Sequence, residues 1–164
     1  MNITHFTNIQ ERHGPLLAFR RETFARDIST AEAAELLLQS ARALNLTDRQ
    51  SLYGNTLNDW ISGGHGSKAP SWALQGAIYW LEHNGWYPGF DCNQGNAINP
   101  KSTTSDFAWW SYAKIKQHGD LSQAIAAIPT GWPADVVATA EQMLKLSWQV
   151  EEDKRAKWAE KRHQ

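Results

Sequence analysis

Apolar residues in this chain recur at three- and four-residue spacing in one segment after another, and they almost never alternate with polar ones. That period belongs to helices with one buried face, and it leaves little sequence from which a sheet could be built. The clearest segment opens at Ser29-Thr30-Ala31-Glu32, a hydroxyl cap with Glu three residues on, and continues through Ala33, Ala34, Leu37, Leu38, Ala41 and Leu44 on one face. Leu46-Thr47-Asp48 resembles a second start. Gly54-Asn55-Thr56 reads as a break and a new cap before a short helix from Leu57 to Ser62, which Gly63-Gly64 and His65-Gly66-Ser67 would end. Pro70-Ser71 opens a stronger helix with Leu74, Ala77, Ile78 and Leu81 inward, Gln75 and Glu82 outward, and Asn84-Gly85 as its stop.

From Trp86 to Ser105 the pattern fails, because Pro88, Gly89, Gly95 and Pro100 interrupt it; a functional loop or a short hairpin is expected there. Asp106 to Gln117 reads as a helix carrying Phe107, Trp110, Tyr112 and Ile115. A shorter one carries Leu121, Ala124, Ile125 and Ile128, and Gly131-Trp132-Pro133 makes a rigid corner. Val137, Ala140, Leu144 and Trp148 then mark a long C-terminal helix over 134–164, whose charged end from Glu151 to His163 is expected to project into solvent. No repeat or linker divides the chain, so a single, mainly α domain over residues 1–164 is expected, with a Trp-rich helical C-terminal half.

A chain of 164 residues can bury a core without disulfides or a structural metal, and Cys92 is its one cysteine. With no long apolar stretch and no basic-then-apolar leader, no membrane partner is expected and the compartment expected is cytoplasmic. Sixteen Lys and Arg against seventeen Asp and Glu exclude a uniformly basic coat, so any polyanion site must be local.

The segment Thr56-Leu57-Asn58-Asp59-Trp60-Ile61-Ser62-Gly63-Gly64, followed by Pro70-Ser71-Trp72-Ala73-Leu74 and then Ile78 and Leu81, resembles the second half of a Cro/repressor-type helix-turn-helix. The resemblance spans roughly residues 47–84, with Thr47 to Tyr53 serving as the first helix and the helix from Pro70 buttressing the second. It implies a regulator of bacterial, phage or plasmid type that reads double-stranded DNA. The spacing is physically coherent: Leu57, Trp60 and Ile61 pin one helix face to the core. Asn55, Thr56, Asn58 and Asp59 are left outward near the N-terminus, where major-groove readers place base-contacting side chains. Arg49 and Lys68 are the nearest candidates for phosphates, with Arg20 and Arg21 from an N-terminal arm. A homodimer contact through the C-terminal half would present two such units to half-sites.

That arm, Phe19-Arg20-Arg21-Glu22-Thr23-Phe24-Ala25-Arg26, supports two readings. Interleaved aromatics and arginines suit a grip on nucleic acid; an amphipathic helix with Phe19 and Phe24 buried and the arginines solvated needs no ligand at all. The nine tryptophans carry the alternative function, a non-enzymatic inhibitor or adaptor that binds a protein partner through exposed aromatics. Most must be core, and the exposed remainder is expected at Trp86 and Tyr87 and at Trp109 and Trp110. Catalysis, metal and cofactor are not expected. Asp91-Cys92-Asn93 matches no nucleophile motif, the histidines lack ligand spacing, and Gly63 to Lys68 has neither the spacing nor the preceding strand of a nucleotide loop.

Overall fold

The computed structural model describes residues 8–62, 68–90 and 100–162, and among them it contains seven helices and no strand. α1 runs Asn8–Ala25, α2 Thr30–Ala43, α3 Gly54–Ser62, α4 Ser71–His83, α5 Pro100–His118, α6 Leu121–Ala126 and α7 Ala134–Arg162. The mainly α expectation is met. The Gly63-Gly64 and His65-Gly66-Ser67 turn, and the loop residues 91–99 with Cys92, lie outside the described residues.

Local sequence explains the best-defined ends. The Ser29 hydroxyl accepts a hydrogen bond from the Glu32 amide at 3.2 Å, which satisfies one of the donors a helix N-terminus leaves unmatched. Asp120 caps α6 in the same way through the Ser122 amide. The buried residues of α2 are Ala33, Ala34, Leu37, Leu38, Ser40 and Ala41, the stripe its spacing predicts. Two elements are longer than their sequence suggests. α1 carries Gly14-Pro15 inside it and begins well before the arm at Phe19, and α5 begins at Pro100 rather than Asp106, where proline is well suited to a first helical turn because that amide has no acceptor within the helix.

α1 is the centre of the arrangement. It packs on α4 and α5; α2 lies against the outer side of α4, α3 rests on α2 and α1, and α7 covers α5 with α6 wedged between them. Small residues permit two close approaches. A Cβ on Gly76 of α4 would stand 3.1 Å from both the Leu37 carbonyl oxygen and the Ala41 Cβ of α2. A Cβ on Gly14 of α1 would stand 2.3 Å from Cδ1 of Trp109. Gly14→Ala therefore drives the Trp109 indole out of place. The overpacking exceeds the helix propensity alanine brings, and a net loss of about 1–2 kcal/mol is expected. A thermal melt in which the variant equals wild type would show that α1 and α5 are not held at this distance.

Tryptophans fill the core where α5 meets the segment after α4. Trp86 and Trp109 stack with ring centroids 5.3 Å apart, and Trp132 meets Trp86 edge-on at 6.3 Å and Trp110 at 5.1 Å. Trp86, Trp109 and Trp110 are at most 1% exposed. This overturns the expected protein-contact patch: of its four residues, only Tyr87 reaches the surface, half-buried against Phe90. Once a chain offers other large rings to stack on, an indole is better buried among them than exposed.

Thr47 to Tyr53 is not a helix either. Its polar side chains bond the local backbone instead: the Arg49 amide donates to the Thr47 hydroxyl, Arg49 Nε to the Ser51 carbonyl and Gln50 Nε2 to the Asp48 carbonyl. Such bonds compete directly with the helical ladder. Glu82, expected outward, is buried in an ion pair with Lys114 of α5.

Candidate nucleic-acid interface

α3 is a nine-residue helix fixed along one side. Leu57 is fully buried and Trp60 6% exposed; Ile61 packs half-buried against the same cluster. Trp60 meets Trp72 at the start of α4 edge-on, with centroids 5.7 Å apart. The main support differs from the expected one, however. α3 lies on α2 and α1, and the N-terminus of α3 abuts the start of α2: a Cβ on Gly54 would stand 3.2 Å from Thr30 Cγ2. The expected buttress from the helix after Pro70 is present only through its start at Trp72, and α3 takes most of its seat on two earlier helices.

On the opposite side, Asn55 and Asn58 are exposed, and Thr56 and Asp59 are half-buried. The four expected contact residues therefore divide, with the two asparagines standing furthest into solvent. Arg49, in the connection before α3, and Lys68, before α4, are also exposed. They are the cations that flank this face in sequence.

The arginines of α1 are engaged within the fold. Arg20 donates to the Thr23 hydroxyl at 3.1 Å, the Ile28 carbonyl at 3.0 Å and the Thr30 hydroxyl at 3.1 Å, so it ties the end of α1 to the start of α2. Arg21 donates to the Phe90 carbonyl at 3.1 Å and stands 3.7 Å from the Glu22 carboxylate. Arg26 donates to the Asn84 carbonyl at 2.6 Å and lies over the Trp80 ring. Arg20 and Arg21 are accordingly withdrawn as phosphate holders: a guanidinium with several fixed acceptors would have to give them up to take a phosphate. The amphipathic-helix reading of this arm is half met, with Phe19 buried but Phe24 70% exposed.

Two polar groupings escaped sequence reasoning because each joins residues from distant segments. Asp106 of α5 accepts the Gly89 amide at 2.8 Å on one oxygen and Trp109 Nε1 at 3.2 Å on the other. Burial pushes its pKa up to about 6, opposed by the Gly89 bond, by Arg21 and by the Trp109 bond. With both oxygens occupied, this carboxylate serves to tie the 86–90 segment to α5. The second grouping lines a cavity of about 220 Å³ between α4 and α5, where Glu82 and Lys114 pair beside Tyr79, His83 and His118. Burial raises the Glu82 pKa despite Lys114, and burial followed by the Lys114 charge holds His118 below its ordinary value. Among the described residues no set of three or more His, Cys, Asp or Glu side chains is placed to hold a metal ion. No helix among them is long and apolar enough to cross a membrane.

No protein-family model, no curated protein and no solved structure matches this chain.

Proposed function

We propose that this protein is a non-catalytic, sequence-specific binder of double-stranded DNA that reads base edges with α3. The observation that supports the reading is the one-sided anchoring of that helix: Leu57 and Trp60 are held in the core while Asn55 and Asn58 stand exposed. An asparagine amide can pair with the N6 and N7 edge of adenine through two bonds, a pairing that a mobile side chain on an unanchored helix would lose to entropy. α3 itself carries Asp59 and no Lys or Arg, so phosphate contacts would come from Arg49 and Lys68 beside it. The resemblance of residues 47–84 to Cro/repressor-type regulators points the same way, toward a role in transcription regulation. The alternative of a protein contact through Trp86, Tyr87, Trp109 and Trp110 has lost its anchors to the core, which leaves DNA the better-supported partner.

The test is selection of a binding site from random duplex DNA, followed by salt titration of variants on that site. Asn58→Ala is expected to weaken the selected site by about 1–3 kcal/mol while leaving random duplex nearly unaffected. Lys68→Ala is expected to weaken both alike and to reduce the slope of log affinity against log salt by about one unit. If selection enriches no sequence, α3 is not a reader.

A further inference from the structure

The last buried side chain of α7 is Ser147, and every residue from Glu152 to Arg162 is exposed, so the final turns of this helix leave the body of the protein. Their charges are not mixed at random. Successive helix residues turn by about 100°, which brings Lys154, Arg155, Lys157, Trp158, Lys161 and Arg162 within an arc of about 160°. Glu152, Asp153 and Glu160 fall outside that arc, and Glu151, a turn nearer the body, is engaged by Lys154 at 3.9 Å. At the root of the arm Arg155 lies over the Trp148 ring and Lys154 over Tyr112. Further out, Lys157, Lys161 and Arg162 have no ion-pair partner among the described residues.

Helix electrostatics explain part of this. Cations in a last turn complement the negative end of the macrodipole, and that alone would favour Lys161 and Arg162. It gives no reason for Trp158, whose ring is 66% exposed in a protein that buries Trp86, Trp109 and Trp110 almost completely. A shallow concavity is lined by Arg155, Trp158, Ala159 and Arg162, so the indole shares it with two arginines. An amphipathic helix that lies on a membrane needs a broad apolar face, and this face offers one ring among five cations. A flat π surface flanked by positive charge is instead the combination that takes an unpaired base and its phosphates together.

We infer that the projecting end of α7 is a docking surface for single-stranded nucleic acid, with Trp158 stacking on a base and the surrounding lysines and arginines holding the backbone without regard to sequence. It is a second contact, separate from α3 and independent of whether α3 reads a duplex, since α3 packs on α1 and α2 while α7 packs on α5 and α6.

Fluorescence anisotropy of the full chain with labelled oligothymidylate tests this, with a labelled mixed-sequence duplex, phosphatidylserine vesicles and polyglutamate as competing probes. Oligothymidylate binding is expected to fall with salt. Replacing all five cations by glutamine should reduce the log–log salt slope by up to about 3.5 units, near 0.7 per cation. Trp158→Ala should weaken binding about 5- to 150-fold with the slope kept, and Trp158→Phe should retain most of the affinity. The Trp158 ring is exposed, so Trp158→Ala and Trp158→Phe should melt like wild type, while the five-cation variant gives up the Glu151 pair and the Trp148 and Tyr112 contacts and is compared at a temperature where circular dichroism shows it folded. Asn58→Ala should leave oligothymidylate binding unchanged, which separates this surface from α3. The inference is overturned by absence of oligothymidylate binding at low salt, by wild-type affinity in Trp158→Ala or in the five-cation variant, or by tighter α7-dependent binding to the duplex, the vesicles or polyglutamate.

Discussion

Trp86→Ala is expected to lose about 3–5 kcal/mol of stability. The indole is fully buried, stacks on Trp109 and meets Trp132 edge-on, so its removal leaves a cavity bounded by two rigid rings that cannot collapse into it. Trp86 Nε1 is buried with no hydrogen-bond partner among the described residues. Trp86→Phe discards that unmatched donor while keeping a ring against Trp109, and it should therefore cost much less than alanine. Urea unfolding of the three proteins checks both statements. A Trp86→Ala midpoint close to wild type would mean that the ring is solvated, and the protein-contact reading of this aromatic group would return.

The sequence signals that proved reliable are those in which a few neighbouring residues suffice. Ser29 and Glu32 mark the start of α2, and the spacing of Leu37, Leu38 and Ala41 marks its buried face, because cap and stripe are local physics. The same holds for Leu57 and Trp60 on α3, whose inward placement leaves Asn55 and Asn58 outward as their spacing requires. What sequence could not assign is the partner of a polar residue. Arg20 and Arg21 have the composition of a phosphate grip, and only the arrival of Ile28, Thr30 and Phe90 beside α1 shows that their donors are engaged. Glu82 occupies a position that one helix alone would leave in water, until α5 brings Lys114 against it. Trp158 belongs with these: the charged end of α7 is legible, but that its indole stays exposed while others are buried depends on which helices reach it, and none among the described residues covers it.

Asp106 gives the fold a pH dependence whose direction follows from its burial. Its carboxyl is pushed up to about 6 from an ordinary value of 3.8, first by desolvation, with the nearby Glu22 adding to the shift and the Gly89 bond, Arg21 and the Trp109 bond opposing it. Between these values the folded protein keeps a proton that the unfolded chain has lost. The folded state binds more protons there, so this group's contribution to stability is fully present below about pH 4, falls as pH rises to about 6, and is level above. The fall amounts to about 3 kcal/mol at 1.36 kcal/mol per unit. Other carboxylates also titrate at low pH, and a comparison with Asp106→Asn isolates this one. The asparagine keeps one carbonyl acceptor for the Gly89 amide or Trp109 Nε1 and never ionises. Its stability relative to wild type should therefore improve by up to about 3 kcal/mol between pH 4 and pH 7, whatever the constant cost of the lost second acceptor. Urea unfolding of both proteins at the two pH values measures that difference. A difference that stays constant would mean that the Asp106 carboxyl titrates in the fold as it does in the unfolded chain, with the Gly89 and Trp109 bonds and Arg21 offsetting its burial.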